Sequence, residues 1–92
     1  MQSARKTVQI VNQRGLHARA SAKFVELVSS MPENVKVTVS KDGHEALGGS
    51  ILGLMMLGAA RGDTIEIAVC GEDCEQRLGQ IAALVEDGFG EM

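Results

Sequence analysis

The sequence predicts an α+β fold, an open-faced β-sandwich in which helices cover one face of a mostly antiparallel sheet. Three observations support this prediction. Segments with strand-like alternation and segments with helical periodicity follow one another in the order βαββαβα. Each clear strand has one polar face, so helices can cover only the opposite face of the sheet. Finally, Asp42-Gly43 separates two short extended segments, which is typical of a tight hairpin.

The first strand and the first helix follow from the periodicity of their apolar residues. Val8 and Ile10 lie on one face of an alternating segment, as in a half-buried strand. From Ala18 onward, apolar residues recur at helical spacing, while Ser21 and other polar residues fall outside the apolar stripe. Pro32 lies just beyond this helix and marks its end. The predicted buried stripe consists of Ala20, Phe24, Leu27, Val28 and Met31.

The second and third strands form the predicted hairpin. Val35, Val37 and Val39 alternate with polar residues, and residues 44–47 supply the return strand. Both central residues of a type I′ turn need a positive φ, which an Asp-Gly pair tolerates.

A short helix, a strand and a last helix complete the chain. Ser50 is a good N-cap for the short helix, which Gly58 ends. Asp73 begins the last helix, and Gln76 three residues later completes a capping-box pattern. Gly88 follows the end of this helix. The residues predicted to face the core are Ile65, Ile67 and Val69 in the strand and Leu78, Ile81, Ala82 and Val85 in the helix.

Composition limits the classes of function. Ninety-two residues are enough for one modest core, so we expect a single domain over residues 1–92. A net charge of −3 and only two aromatic residues, both Phe, argue against nucleic acid as a partner. No apolar segment approaches the roughly 18 residues that span a bilayer, and no signal peptide is evident. We therefore expect a cytoplasmic protein that does not bind membranes.

The segment from residue 14 to residue 24 places His17 directly before the first helical turn. The first N–H groups of a helix lack intrahelical partners and carry partial positive charge, so they attract anions. A phosphoryl group on His17 would accept hydrogen bonds from the N–H groups of Ala18 and Arg19, and the guanidinium of Arg19 matches phosphate oxygens. Gly15 allows the turn that leaves the imidazole accessible. The alternative is that His17 and Arg19 are ordinary surface residues.

The motifs GLHARASAKF and SILGLMMLG resemble, in order and spacing, those of the HPr family, the histidine-containing phosphocarriers of the bacterial phosphoenolpyruvate-dependent phosphotransferase system. The resemblance covers residues 8–85. It implies a four-stranded antiparallel sheet with three helices on one face, in agreement with the element order. It also implies that His17 accepts a phosphoryl group on Nδ1 from enzyme I and passes it to an enzyme IIA domain, while Arg19 helps to hold that group. Such a protein is a carrier and not an enzyme.

The same resemblance bears on three further positions. Ser50 corresponds to the serine that an HPr kinase/phosphorylase phosphorylates for regulation in some bacteria. Ala20 stands where the family usually has proline, so the start of the helix should be slightly less rigid. Glu26 stands where sugar-transport carriers often have lysine. Together with the Ser50 segment, this residue favours the nitrogen-related regulatory branch of proteobacteria.

Six apolar residues within seven positions of the second helix point in every direction around its axis. A helix on a sheet buries only one stripe, so some of these residues should be exposed. We expect Ile51, Leu52 and Met55 to form a partner-binding patch. The alternative is that all six are core or dimer contacts.

The sequence is also compatible with two other functions. One is a regulatory docking module in which the second helix binds a target and the histidine is vestigial. The other is a metal-binding domain that uses His17, His44, Cys70 and Cys74, although their spacing is irregular. We expect no metal and no cofactor, two reduced structural thiols and a surface position for His44. Transfer between histidines needs an open site, which favours a monomer.

Overall fold

The computed structural model describes residues 2–91. Its element order confirms the predicted βαββαβα arrangement and adds a C-terminal 3₁₀ turn that the sequence analysis did not predict. The strands are β1 (Ser3–Gln9), β2 (Lys36–Lys41), β3 (His44–Leu47) and β4 (Thr64–Cys70), the helices are α1 (Ala18–Ser29), α2 (Ile51–Met56) and α3 (Cys74–Glu86), and the 3₁₀ turn is Gly88–Gly90.

The four strands form one antiparallel sheet in the order β1-β4-β2-β3. In the register of the sheet, Ile67 of β4 lies opposite Val39 of β2, and Ile65 lies opposite Val8 of β1. Residues directly opposite one another share a face, so these side chains form one continuous apolar surface. β1 begins earlier than its apolar pattern indicates, because Ser3 pairs with the last residue of β4, Cys70.

The core lies between this apolar face and the helices. Phe24 of α1, Leu54 of α2 and Ile81 of α3 are each fully buried, so all three helices contribute to the core. The predicted inward stripe of α3 is confirmed in full, and the side chain of Phe89 in the 3₁₀ turn is only 1% exposed. The segment after α3 is therefore part of the core. No helix among residues 2–91 has the length and hydrophobicity needed to cross a membrane.

The hairpin between β2 and β3 has the predicted turn. Asp42 has a φ of 51° and Gly43 has a φ of 83°, as a type I′ turn requires. The positive φ of Gly58 likewise confirms that this residue follows the end of α2.

Two local predictions are wrong. Asp73 does not form a capping box, because its backbone is left-handed (φ 58°) instead of extended and its side chain makes no capping hydrogen bond. Its carboxylate instead lies 4.0 Å from a guanidinium nitrogen of Arg77. The helical periodicity predicts that Ser21 lies outside the buried stripe of α1, but it is fully buried. Its hydroxyl donates a 3.2 Å hydrogen bond to the carbonyl oxygen of Leu16, which satisfies the buried polar group.

Candidate functional site

The loop before α1 is held in one conformation by close backbone contacts. Gly15 has a φ of 63°, and a Cβ at this position would overlap the carbonyl oxygen of Ala59 and lie 2.9 Å from the Cα of Ala60. The amide of Leu16 donates a 3.0 Å hydrogen bond to the same carbonyl oxygen of Ala59. The side-chain amide of Asn12 donates to the carbonyl oxygen of Gly15 at 2.8 Å. The loop that follows α2 therefore fixes the loop that presents His17.

His17 is the N-cap of α1, as predicted from the sequence. Its backbone is extended, and its carbonyl oxygen accepts a 2.9 Å hydrogen bond from the amide of Ser21. Its ring nitrogen Nδ1 accepts a hydrogen bond from the amide of Arg19 at 3.3 Å. The side chain is 17% exposed, and Ala18, the first helical residue, is exposed beside it. Nδ1 therefore lies at the positive end of the helix, where an anion is favoured.

The other ring nitrogen of His17 contacts a residue that the sequence analysis missed. Nε2 lies 2.6 Å from Oε2 of Glu91, 74 positions later in the chain. The other carboxylate oxygen of Glu91 accepts a 3.1 Å hydrogen bond from Nδ2 of Asn12. Because this contact joins residues 74 positions apart, no local pattern could reveal it. The one available signal was Phe89, an aromatic residue placed between glycines after the last helix.

The surroundings of Glu91 favour its charged form. Partial burial by itself would raise the pKa of the Glu91 carboxyl, but hydrogen bonds from Asn12 and His17 act in the opposite direction. The positive charge of Lys23, and that of His17 when its ring is protonated, add to this effect, and the pKa of Glu91 lies below its ordinary value. Glu91 is therefore a carboxylate near neutral pH.

An open cavity of about 330 Å³ lies beside His17. Three basic side chains, those of Arg14, Arg19 and Lys23, line it together with His17 and Glu91. Three cations and a helix N-terminus outweigh one carboxylate, so the cavity favours anions. An imidazole nitrogen and a cationic cavity together suit the transient attachment of a phosphoryl group.

Ser50 occupies the predicted capping position at the start of α2. Its hydroxyl oxygen accepts a 3.0 Å hydrogen bond from the amide of Gly53, which confirms the N-cap role. The side chain is half-buried.

The apolar residues of α2 divide between core and surface. Leu54 is fully buried, whereas the exposed fractions of Ile51, Leu52 and Met55 are 41%, 67% and 40%. Within the alternative of core or dimer contacts, the placement of all six in the core is therefore wrong. Met56, which was not assigned to the patch, is the most exposed of the set at 77%. We use the term apolar patch for Ile51, Leu52, Met55 and Met56.

The residues of the metal-binding alternative do not come together. Within residues 2–91, no three His, Cys, Asp or Glu side chains form a group that could hold a metal ion. His44 is exposed in β3, as expected. Neither Cys70 nor Cys74 forms a disulfide bond, and their side chains are half-buried and buried respectively.

Comparison with known proteins identifies the family of this fold and site. A family model described as "PTS HPr component phosphorylation site" matches residues 4–87. The phosphocarrier protein HPr of Neisseria meningitidis is 40% identical over 87 residues, which are 95% of this chain and 96% of that protein. The phosphocarrier protein NPr of Escherichia coli is 35% identical over 89 residues, with 97% and 98% coverage.

A solved structure agrees with these sequence relatives. The crystal structure of HPr-C-His from Thermoanaerobacter tengcongensis superposes with a TM-score of 0.86 at 34% identity and covers 100% of this chain and 99% of that one. Both the family match and the structural match extend over nearly the whole chain, including the helix that His17 caps. This chain therefore belongs to the HPr family of phosphocarrier proteins of the phosphotransferase system.

Proposed function

We propose that this protein carries a phosphoryl group on Nδ1 of His17, receives it from phosphorylated enzyme I and passes it to an enzyme IIA domain. The observation that carries the proposal is the position of Nδ1, which faces the amide of Arg19 at the start of α1. The cavity beside it is lined by Arg14, Arg19 and Lys23. Family membership supplies the general role, and this geometry supports the particular atom.

The transfer is a displacement in which no proton needs to leave the imidazole. The lone pair on Nδ1 forms a bond to phosphorus while the bond between phosphorus and the donor's nitrogen breaks. The electron pair of the broken bond returns to the donor. In the next transfer, the bond between Nδ1 and phosphorus breaks when an acceptor histidine attacks the phosphorus. The amide of Arg19, which now contacts Nδ1, and its guanidinium, which lines the cavity, would contact the phosphoryl oxygens.

The test is phosphorylation by enzyme I and phosphoenolpyruvate, followed by intact mass measurement. We expect an acid-labile, alkali-stable phosphoryl adduct on the wild-type protein and none on His17→Ala. His44→Ala is the matched control, because His44 is exposed in β3 and has no part in the cavity. A wild-type protein without an adduct, or an adduct that persists in His17→Ala, would contradict the proposal.

The apolar patch supports a second candidate function, a regulatory docking module. In that case a partner binds the patch and His17 is not phosphorylated. Four exposed apolar side chains on one short helix suit protein contacts, and methionine adapts to partners of different shape. The His17→Ala experiment separates the two functions, because binding through the patch alone would not depend on the imidazole.

Phosphorylation of Ser50 by an HPr kinase/phosphorylase is a further part of the proposed function. The phosphate would be tolerated at a helix start, but its negative charge would lie beside Ile51 and disturb an apolar contact surface. We expect it to weaken the docking of enzyme I. Equal rates of His17 phosphorylation for unmodified and Ser50-phosphorylated protein would exclude this effect.

The acceptor we propose is an enzyme IIA domain of a nitrogen-related system. The exposed position of Glu26 on α1 supports this choice, because a carboxylate there changes the charge that a partner meets. Relatives named HPr and relatives named NPr are both similar to this chain, so identity alone does not distinguish the branches. Transfer from the phosphorylated protein to a panel of enzyme IIA domains from one cell would do so. The proposed partners imply a cytoplasmic monomer.

A further inference from the structure

The two ring nitrogens of His17 have partners of opposite hydrogen-bonding character. The amide of Arg19 is a donor, so Nδ1 must be the unprotonated, accepting nitrogen. A neutral imidazole carries a single N–H, which then lies on Nε2 and donates to the carboxylate of Glu91. Both contacts therefore select the same tautomer, which is assigned here from the hydrogen-bond network. In that tautomer the lone pair of Nδ1 is available to attack phosphorus.

The carboxylate of Glu91 is held in place independently of His17. Its second oxygen accepts a hydrogen bond from Asn12, whose side-chain amide also binds the carbonyl oxygen of Gly15. Asn12 is only 4% exposed, so this anchor is fixed within the loop that presents the histidine. On the other side, the buried ring of Phe89 anchors the chain two residues before Glu91. The carboxylate thus occupies a prepared position and is not a mobile surface charge.

We propose that Glu91 is a positioning residue which, anchored by Asn12, keeps the proton of His17 on Nε2 and leaves Nδ1 as the nucleophilic atom. This inference rests on the proposed function. When Nδ1 bonds to phosphorus, Nε2 keeps its proton and the ring becomes positively charged. The carboxylate of Glu91 stabilises that charge through the Nε2–H bond, and the charge disappears when the Nδ1 bond to phosphorus breaks. Glu91 forms no covalent bond and takes no proton.

The first test measures the tautomer in the unphosphorylated protein, so it does not depend on phosphoryl transfer. Imidazole ¹⁵N NMR spectra at a pH where His17 is neutral should show a protonated Nε2 and an unprotonated Nδ1 in the wild type. In Glu91→Ala the share of the Nδ1-protonated tautomer should rise, because only the longer 3.3 Å contact with the amide of Arg19 then favours an unprotonated Nδ1. His44 serves as an internal reference, because it is exposed in β3 and should not change. Glu86→Ala is the matched control, since this exposed carboxylate lies 3.8 Å from Lys6 and outside the cavity.

The second test measures the initial rate of phosphorylation by enzyme I. Hydrogen-bond partners that orient metal-ligating histidines typically contribute 10–100-fold to metal affinity or activity, and we apply the same range to the orientation of His17. We therefore expect Glu91→Ala to slow phosphorylation by about 10–100-fold and Glu86→Ala to leave it unchanged. Glu91→Ser should behave like Glu91→Ala, which guards against an effect of the introduced alanine.

The outcomes separate the two proposals. Suppose that the wild-type protein accepts phosphate but Glu91→Ala has the same tautomer or the same phosphorylation rate as the wild type. This result would overturn the role of Glu91 and leave the carrier function intact. A wild-type protein that accepts no phosphate would overturn the carrier function, and the tautomer spectra alone would then decide whether Glu91 orients the ring. Equal losses of rate in Glu86→Ala and Glu91→Ala would show a general charge effect and would also overturn the inference.

Discussion

The ammonium group of Lys23 donates a 2.7 Å hydrogen bond to the carbonyl oxygen of Phe89, 66 positions later in the chain. This contact ties the 3₁₀ turn to α1, the helix that begins at His17. The ring of Phe89 is buried in the core, so the turn is held by its backbone and by its side chain. The position of Glu91 opposite His17 therefore depends on residues that do not themselves contact the imidazole.

Removal of the Lys23 ammonium group should loosen the turn. Hydrogen bonds to charged groups stabilise proteins by about 1.5–3 kcal/mol. At the lower end of that range, Lys23→Met should speed hydrogen exchange at the amide of Glu91 about tenfold. This amide now donates a 3.0 Å bond to the carbonyl oxygen of Gly88. Lys6→Met is the control, because Lys6 makes only a distant, exposed contact with Glu86. Unchanged exchange at Glu91 would show that Lys23 does not anchor the turn.

Substitution of Gly15 should destabilise the protein more than substitution of another glycine with a positive φ. Gly15→Ala adds left-handed strain, worth about 1–2 kcal/mol, and an overlap with the backbone of Ala59. Gly43→Ala adds only the strain, because a Cβ at Gly43 would meet nothing within 4 Å. Urea unfolding of both variants measures the difference. Equal free energies of unfolding would mean that the backbone near Ala59 moves aside at no cost.

Local sequence patterns correctly predicted the turns and helix caps whose conformation depends on residues adjacent in sequence. The Asp42-Gly43 turn and the cap at Ser50 follow from the conformations that these residues favour locally. The position of His17 at the start of α1 follows from the spacing of the apolar residues. Local propensity failed at Asp73, where the backbone adopts a left-handed conformation at the end of a tight connection.

The features that could not be predicted depend on contacts distant in sequence. Ser21 is buried because the carbonyl oxygen of Leu16 satisfies its hydroxyl, which only the folded loop reveals. The contact between His17 and Glu91 needs both the sheet and α3 to bring together residues that are 74 positions apart. The motif around the histidine therefore indicated half of the site, the side of Nδ1. The side of Nε2 required the structure.

The stability of the protein should depend on the charge of Glu91 at acidic pH. Because the pKa of Glu91 is lowered in the folded state, its charged form favours folding above the pKa of the unfolded chain. That contribution is lost as the pH falls through the folded-state pKa. The melting temperature of the wild type should therefore fall more steeply than that of Glu91→Gln from about pH 5 to about pH 3. Glu86→Gln, which alters an exposed carboxylate, should follow the wild type. Parallel curves for wild type and Glu91→Gln would contradict the assigned contacts.

Substitutions of two leucines of α2 should separate effects on stability from effects on partner binding. Leu54 is fully buried, so Leu54→Ala should lower the free energy of unfolding by about 2–5 kcal/mol. Leu52 is 67% exposed, so Leu52→Ala should change the free energy of unfolding by no more than about 0.5 kcal/mol.

If enzyme I binds the apolar patch, Leu52→Ala should instead raise the KM of enzyme I for this protein. We expect a rise of about fivefold or more when this side chain is one of the main contacts. Urea unfolding and phosphorylation kinetics measure the two effects. A stable Leu52→Ala variant with the KM of the wild type would place the docking surface elsewhere, because a truncated central contact cannot leave an interface unaffected.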